Sequence, residues 1–299
     1  MPPYEKVTVL GASGNLGPWV IKALLDVGFK VTVVTRQESK ATFPSDVDVK
    51  KIDITSRSAI SEAFKGQDAV VSTLPGEAVA SQRIFIDAAI DAGIKRFIPS
   101  EFGINTREAG GTKFGKFVAA KISDVDYLIE LSEKYSWFSW SAICTGAFFD
   151  WGLDNGFFGF DLKNNTSSIF DSGNERFSGT NVPFIGKCVA ASLLKSDETA
   201  GKFLTVASFT TTQNEVLKVI EEETGSKFSV GHVNTADLEK IGEKKAAKSD
   251  PSAFVEYLLW YVFRDGANQA VKENAAVTVL GLEEEDLRTT IKEAISRNL

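Results

Sequence analysis

The segment 7–17, VTVLGASGNLG, constrains the fold most, because three glycines follow directly on an apolar strand pattern. Gly11, Gly14 and Gly17 form a GxxGxxG turn, and the apolar spacing over 16–28 is typical of a helix that begins within it. Glycines allow a tight turn and close approach of a ligand to the backbone, and a helix N-terminus offers free N–H groups. The turn therefore either binds the pyrophosphate of a dinucleotide or is a purely structural turn.

The remainder of the first half favours the dinucleotide site, because strands and helices alternate there. The apolar segments KVTVVTR, VDVKKIDI, DAVVSTLPG and IKRFIPSEFG alternate with amphipathic helical segments. This alternation predicts an α/β fold: a Rossmann-type, doubly wound parallel sheet with helices on both faces. Beyond about residue 150 the pattern becomes irregular and rich in aromatic residues. We expect a nucleotide-binding domain over 1–150 and a smaller, interleaved substrate-binding lobe over 151–299.

The end of the second strand indicates which dinucleotide is bound. An NAD site usually has Asp or Glu there, whereas this strand runs into TRQESK, with Arg36 and Lys40. A guanidinium can pair with a 2′-phosphate through two hydrogen bonds, and a nearby ammonium adds positive charge. These residues predict NADPH/NADP+, with a solvated surface arginine as the alternative. Asp53, after the third strand, either contacts the adenine edge or caps the next helix.

Charge and composition bear on partners and compartment. The net charge of −7 argues against a nucleic-acid partner, since phosphate backbones require a basic face. Cys144 and Cys188 form no CxxC pair, and no cluster of metal ligands is evident, so we expect no metal site. The N-terminus enters a strand at once, and no apolar run reaches the length of a membrane span. We expect a cytoplasmic protein without a membrane partner, either a monomer or a homodimer.

Several motifs together resemble a known family. The glycine turn joined to RQESK, VVSTLPG, RFIPSEFG and KFVAAK resembles the NmrA-like family. Within that family the chain is most similar to the isoflavone reductase-like or phenylcoumaran benzylic ether reductase-like atypical short-chain reductases. The stretch TGAFFDWGL resembles fungal members. The resemblance is strong over the first 150 residues and looser beyond them.

The resemblance implies NADPH bound across the carboxyl ends of the strands. The positions that match the family's cofactor contacts are Gly11, Ser13, Gly14, Asn15, Leu16, Gly17, Arg36, Lys40, Thr73, Leu74, Pro75, Pro99, Ser100, Glu101, Phe102 and Lys121. In this set, residues 99–102 match the segment that lines the nicotinamide.

Lys121 matches the family's general acid/base. Ordinary short-chain dehydrogenases use Tyr-x-x-x-Lys, in which the lysine lowers the pKa of the tyrosine one helical turn away. Here the same frame runs from Phe117 to Lys121, and phenylalanine cannot transfer a proton. Lys121 would then act alone or through water, with burial lowering its pKa. The alternative is a lysine on a helix surface, and Lys113 and Lys116 weaken any claim that Lys121 is unique.

The substrate site is less constrained by sequence. Aromatic side chains that could line a flat apolar pocket are Phe148, Trp151, Phe157, Phe158 and Trp260, although those in 254–263 also have the spacing of a helix core. We expect an aromatic or polyketide-like carbonyl, an enone or a benzylic ether. TGAFF stands where plant members have an NxF turn, so the plant substrates are not carried over. His232, the single histidine, is expected in a strand of the outer lobe and not in a Ser-His-Asp triad.

Three functions remain open at this point. The first is an NADPH-dependent reductase that transfers hydride to a small apolar or aromatic substrate, with Lys121 as general acid/base. The second is an NADP(H)-sensing regulator without catalysis, and the third is a redox-neutral enzyme on the same fold. Two glycines at 110–111 also predict that residues 104–115 form a mobile lid.

Overall fold

A computed structural model describes residues 4–271 and 274–299 of the 299-residue chain. The strands are β1 (Lys6–Leu10), β2 (Lys30–Arg36), β3 (Asp48–Ile52), β4 (Ala69–Ser72), β5 (Arg96–Ile98), β6 (Ser139–Cys144), β7 (Ala147–Phe148), β8 (Phe160–Asp161), β9 (Thr166–Phe170), β10 (Phe177–Thr180), β11 (Lys202–Thr205), β12 (Phe209–Thr211) and β13 (Ser229–Val233).

The helices are α1 (Gly17–Asp26), α2 (Arg57–Phe64), α3 (Gln82–Ala92), α4 (Thr106–Ala109), α5 (Ala119–Lys134), α6 (Phe149–Asp154), α7 (Val182–Leu194), α8 (Ser196–Thr199), α9 (Gln213–Thr224), α10 (Thr235–Ala246), α11 (Ala253–Phe263), α12 (Ala275–Leu280) and α13 (Leu287–Asn298). Two 3-10 helices cover Gly76–Ser81 and Phe114–Phe117.

The central sheet confirms the predicted Rossmann-type fold. Seven parallel strands run in the order β11-β6-β5-β4-β1-β2-β3. The chain moves outward from β1 to β3 and then returns to β4 on the other side of β1. In such sheets the crevice at the carboxyl ends of the two strands where the order reverses is the usual ligand site. Gly11 follows β1 and Thr73 follows β4, so both lie at this crevice.

Both faces of the sheet are covered, which explains why its strands are apolar without alternation. Val9 and Val71 pack into one core with α1 and α7, whereas Leu10 and Val70 pack into the opposite core with α2, α3 and α5. Neighbouring residues on one strand thus enter different cores. Within the described ranges, no helix is long and apolar enough to cross a membrane.

The second half of the chain contributes to the sheet layer as well as to an outer lobe. β11 pairs with β6 over residues 202–205 and 141–144, and α7 packs on α1 so closely that a Cβ on Gly186 would lie 2.5 Å from the Trp19 carbonyl oxygen. The division at residue 150 stays a prediction.

The outer lobe has an aromatic core between two three-stranded sheets, β12-β10-β7 and β13-β9-β8, and the helices α9, α11 and α13. The Phe158 ring lies 5.2 Å from Phe149 and 5.5 Å from Phe177, and Phe177 lies 5.0 Å from Phe263, measured between centroids. His232 lies on β13, as predicted, with an exposed side chain.

Candidate cofactor and proton-transfer site

The glycine turn is shaped first by the protein's own backbone. Gly11 has φ +71°, and a Cβ on it would lie 2.5 Å from the Thr73 carbonyl oxygen. A Cβ on Gly17 would lie 2.5 Å from the backbone of Ala12. Chain packing therefore requires two of the three glycines, Gly11 and Gly17, beyond the tight turn and ligand approach predicted from the sequence. Gly14 differs, because a Cβ there would meet only the Gly11 carbonyl oxygen, at 3.3 Å.

The N-terminus of α1 lies directly beyond this turn. Leu16 is its N-cap residue and supplies no side-chain hydrogen bond, so the first-turn N–H groups are not capped by that side chain. The Leu16 side chain is buried in the core, which leaves its backbone for any ligand contact. Ser13 and Asn15 are exposed beside it.

Two cations lie at the end of β2, which neighbours β1 in the sheet: Arg36 is the last residue of β2, and Lys40 lies in the loop beyond it. Arg36 and Lys40 are both exposed, and the Arg36 guanidinium lies 3.6 Å from the Glu38 carboxylate. Lys51 of β3 donates a hydrogen bond of 2.6 Å to the Ser39 carbonyl and so holds the loop between them. Lys51 was not predicted to lie near this loop. The parallel register of β2 and β3 places it opposite Thr35.

Asp53 does not cap the following helix. Its carboxylate accepts hydrogen bonds from the N–H and hydroxyl of Thr55, at 2.9 and 2.7 Å, and the N-cap residue of α2 is Ser56. The capping interpretation of Asp53 was wrong because a serine three residues later is already in the N-cap position.

The segments after β4 and β5 are tied to each other and to β1. The Thr73 hydroxyl donates to the Leu10 carbonyl at 2.8 Å, and the Ser100 hydroxyl donates to the Leu74 carbonyl at 2.7 Å. Pro75 is exposed and is the N-cap residue of the 3-10 helix Gly76–Ser81. The predicted contact residues after these strands thus lie along one edge, whereas the Phe102 side chain is buried in the core below it.

Glu101 is a carboxyl group buried at this edge. Its side chain is 1% exposed; Oε1 accepts the hydroxyl of Thr106, and Oε2 has no hydrogen-bond partner among the described residues. Burial disfavours the charged form and raises the pKa of Glu101 to about 7, against the opposing charge of Lys121 and the Thr106 hydrogen bond.

Lys121 projects toward Glu101 from the first turn of α5. Its Nζ lies 3.4 Å from the Glu101 carbonyl oxygen, a long hydrogen bond, and its side chain is half-buried. Burial lowers the pKa of Lys121, and the Glu101 carboxyl opposes this shift. Lys113 and Lys116 are exposed, and Lys113 is paired with Glu239 and Glu243. Of these three lysines, only Lys121 has the buried setting that lowers a lysine pKa.

Phe117 does not share a helical turn with Lys121. It lies in the 3-10 helix before α5, and its ring packs 5.5 Å from Tyr257 and 6.0 Å from Phe254. The position that holds tyrosine in ordinary short-chain dehydrogenases therefore belongs to the aromatic packing of the outer lobe. The predicted helical frame from 117 to 121 was wrong because the helix begins at Ala119.

A cavity of about 200 Å³ lies between the ends of β6 and β11 and the outer lobe, and neither Glu101 nor Lys121 lines it. Its wall includes Cys144, which is within electrostatic range of both residues. Its wall is mainly apolar and includes Ile104, Cys144, Ala147, Phe177 and Val262, with Asn105, Glu108 and Gln269 as polar groups. The Cys144 thiol contacts the Gly103 carbonyl oxygen at 3.1 Å, and burial raises its pKa to about 12, so it is neutral.

None of the five predicted substrate residues lines this cavity. Phe158 is fully buried in the aromatic core beside Phe157, Phe148 packs against the core of the sheet, and Trp151 is 39% exposed. Trp260 lies under the Arg264 guanidinium, 4.3 Å from the ring centroid. The lining residues come from several strands, helices and loops that are far apart in the sequence, so no periodic pattern indicated them.

The predicted lid segment is docked in this structure. A Cβ on Gly115 would lie 2.4 Å from the Ala109 carbonyl oxygen, Phe114 stacks on Tyr261 at 5.3 Å, and Arg107 pairs with Asp126 at 2.6 Å. Opening of residues 104–115 stays a prediction, which protease sensitivity with and without NADPH would test.

Comparison with known proteins defines the class. The sequence profile of the NmrA-like family matches residues 3–256. The chain is 36% identical over 246 residues to the oxidoreductase aprR of Aspergillus flavus, covering 81% of this chain and 82% of that protein. It is 29% identical over 267 residues to the oxidoreductase poxI of Penicillium oxalicum, covering 89% and 85%.

Solved structures with the same fold include plant reductases. AtPrR2 with NADP+ and (+)pinoresinol superposes with a TM-score of 0.80 at 19% identity, covering 98% of this chain and all of that one. The leucoanthocyanidin reductase–NADPH complex from Vitis vinifera also has a TM-score of 0.80, at 22% identity, covering 97% and 99%. The chain belongs to the NmrA-like family. It is an oxidoreductase of the isoflavone reductase-like, atypical short-chain class.

Proposed function

We propose that the protein is an NADPH-dependent reductase that transfers hydride to a small apolar or aromatic substrate, with Lys121 as general acid. The observation that carries the proposal is the placement of the Lys121 ammonium at the carboxyl edge of the sheet, 3.4 Å from the Glu101 carbonyl oxygen and within electrostatic range of Cys144, which lines an apolar cavity. A half-buried lysine at that edge is suited to proton transfer at a substrate in the cavity.

The glycine turn and its surroundings fit NADP(H). Gly14 and the N-terminus of α1 would hold the pyrophosphate, because Gly14 leaves space that a side chain would fill and the helix offers N–H donors. Arg36 and Lys40 would hold the 2′-phosphate, and the segment 99–102 would border the nicotinamide. When bound, the reduced nicotinamide supplies the hydride. The leucoanthocyanidin reductase complex with NADPH supports this assignment by analogy of fold.

The cavity supports a substrate with about one ring. An apolar cavity of about 150 Å³ is known to bind benzene, so a volume of about 200 Å³ suits a six-membered ring with a short substituent. Glu108 and Gln269 offer hydrogen bonds to a hydroxyl or carbonyl group on that ring. Reduction of such a carbonyl, enone or benzylic ether requires a proton, which Lys121 donates. Because burial lowers the pKa of Lys121, proton release from it costs less than from an exposed lysine.

The proposal is tested in two stages. Calorimetry first compares NADPH, NADP+, NADH and NAD+, and we expect binding of the two phosphorylated nucleotides. NADPH consumption is then followed with a panel of single-ring carbonyls, enones and benzylic ethers. For an accepted substrate, Lys121→Met should lower kcat by roughly 10²–10⁴-fold when the nucleotide is saturating, as is usual for loss of a general acid.

Lys116→Met is the matched control, since Lys116 is an exposed lysine five residues earlier, and it should retain full activity. Absence of dinucleotide binding would overturn the proposal. Tight binding without turnover of any compound would favour the NADP(H)-sensing regulator instead.

A further inference from the structure

We propose that Glu101 makes the protein distinguish NADP+ from NADPH in a pH-dependent way, because its carboxyl group releases a proton when the positively charged ring binds. This inference rests on the proposed function, in that it takes the nicotinamide to lie at the segment that follows β5. It goes further by giving a role to a side chain that the hydride and proton transfers do not use.

The carboxyl group of Glu101 is buried, and among the described residues only one of its two oxygens is hydrogen-bonded. Its side chain is 1% exposed, one oxygen accepts the Thr106 hydroxyl, and the other has no partner in the described part of the chain. Buried polar atoms are nearly always hydrogen-bonded, so a bare carboxyl oxygen at a ligand edge indicates a missing partner. A cationic ring bound above this edge would supply the opposite charge.

The charged and titratable groups around Glu101 come from three elements. Lys121 of α5 and Arg107 of α4 both lower its pKa, whereas burial acts more strongly and raises that pKa to about 7. Arg107 is already paired with Asp126. Cys144 of β6 is neutral, because its own pKa is raised to about 12. Near neutral pH the free protein therefore holds Glu101 partly protonated and partly ionised.

The two redox states of the cofactor act differently on such a group. The oxidised nicotinamide carries one positive charge and stabilises a nearby carboxylate, whereas the reduced ring is neutral. NADP+ thus binds the ionised form of Glu101 more tightly and expels its proton, so its affinity rises with pH. If the ring lowers the pKa of Glu101 by about one unit, NADP+ affinity increases about fivefold from pH 6 to pH 8. The reduced ring gives no such increase.

The preference for NADPH over NADP+ is therefore greatest at acidic pH and decreases as the pH rises. This property would matter to either a reductase or a sensor, since it links the nucleotide state that the protein prefers to the local pH.

The test is calorimetric titration of NADP+ and of NADPH into the full chain between pH 6 and pH 8. The 2′-phosphate is present in both nucleotides, so its own titration cancels in the ratio of their Kd values. We expect the ratio Kd(NADP+)/Kd(NADPH) to fall about fivefold across this range for a shift of one unit. In buffers of different ionisation enthalpy, NADP+ binding at pH 7 should release a fraction of a proton.

Two variants assign the effect to Glu101. Glu101→Gln should make the ratio independent of pH. Thr106→Val removes the hydroxyl that stabilises the carboxylate, so it should move the midpoint to higher pH, and it keeps the proposal testable if Glu101→Gln does not fold. Glu108→Gln is the matched control, because it removes a carboxylate from the cavity wall and should leave the dependence unchanged.

The outcomes separate this inference from the proposed function. If both nucleotides bind and their Kd ratio does not change with pH, the inference is wrong while the proposed function stands. A pH dependence that persists in Glu101→Gln also overturns it, since another group then carries the titration. If neither nucleotide binds, the proposed function itself fails.

Discussion

The two ends of the crevice at the carboxyl edge of the sheet are built in different ways. At the end formed by β1 and β2, the groups proposed to contact the ligand are backbone N–H groups and the exposed cations Arg36 and Lys40. At the end formed by β5 and β6, they are the buried Glu101 and the half-buried Lys121, which lie on separate segments, with the Lys121 ammonium 3.4 Å from the Glu101 carbonyl oxygen. The first end offers fixed charge and the second offers charge that changes near neutral pH.

The contrast follows from how each end meets water. Arg36 is exposed to water, so its guanidinium is accessible for pairing with a phosphate. Glu101 has lost its hydration, so a nearby charge shifts its protonation. An anion can thus be recognised by a short contiguous motif, whereas proton handling requires side chains that the fold brings together.

The largest effect on the first end should come from Gly11→Ala. The substitution adds a Cβ to a residue with φ +71° and forces it to 2.5 Å from the Thr73 carbonyl oxygen. Backbone strain and overpacking together should lower the free energy of unfolding by about 4 kcal/mol. Urea denaturation measures this loss.

Gly28→Ala is the control for that measurement. Gly28 also has a left-handed φ, +90°, but nothing lies within 4 Å of a Cβ there. It should cost only about 1–2 kcal/mol. Equal losses of unfolding free energy in the two variants would mean that the contact with the Thr73 backbone does not restrict residue 11.

At the second end, Glu101→Gln should remove a pH dependence of the free energy of unfolding. The folded protein raises the pKa of Glu101 from 4.5 to about 7, so it binds more protons than the unfolded chain between these values. Stability therefore falls as the pH rises through this window, by about 3 kcal/mol in total. Glu101→Gln should be more stable than the native protein at pH 8 and lose this difference near pH 4.5. Thermal unfolding of both proteins at pH 8 and pH 4.5 measures this difference in stability. A difference that is the same at both pH values would contradict a raised pKa of the buried Glu101 carboxyl group.

The smallest effect is expected from Arg36→Ala. Loss of its hydrogen bonds to the 2′-phosphate should weaken NADPH and NADP+ binding by about 1.5–3 kcal/mol and leave NADH and NAD+ unaffected. Because Arg36 is exposed, protein stability should not change. Calorimetry with all four nucleotides measures the selectivity, and an equal loss for NADH would place Arg36 away from the 2′-phosphate.

The sequence predicted the fold more fully than it predicted the site. The alternating apolar segments were sufficient to predict the parallel sheet, since each burial pattern is local, but the strands are shorter than several of these segments and β11 was not predicted. The start of α9 is also set by local residues, since Thr212 and Glu215 form a capping box there. The substrate cavity could not be predicted, because its wall joins residues of separate strands, helices and loops that are distant in sequence and have no common period.

What the sequence by itself determined is the order of strands and helices, the glycine turn and the cations after β2, because these depend on neighbours within a few residues. Tertiary structure decided the rest. It determined that Gly11 and Gly17 are needed for the backbone of the protein itself, and that Phe117 enters the aromatic packing of the outer lobe. It also decided that Glu101 is buried and that the half-buried Lys121 approaches its backbone carbonyl. The physical reason is that burial sets both close packing and the protonation of a side chain, and burial is a property of the whole fold.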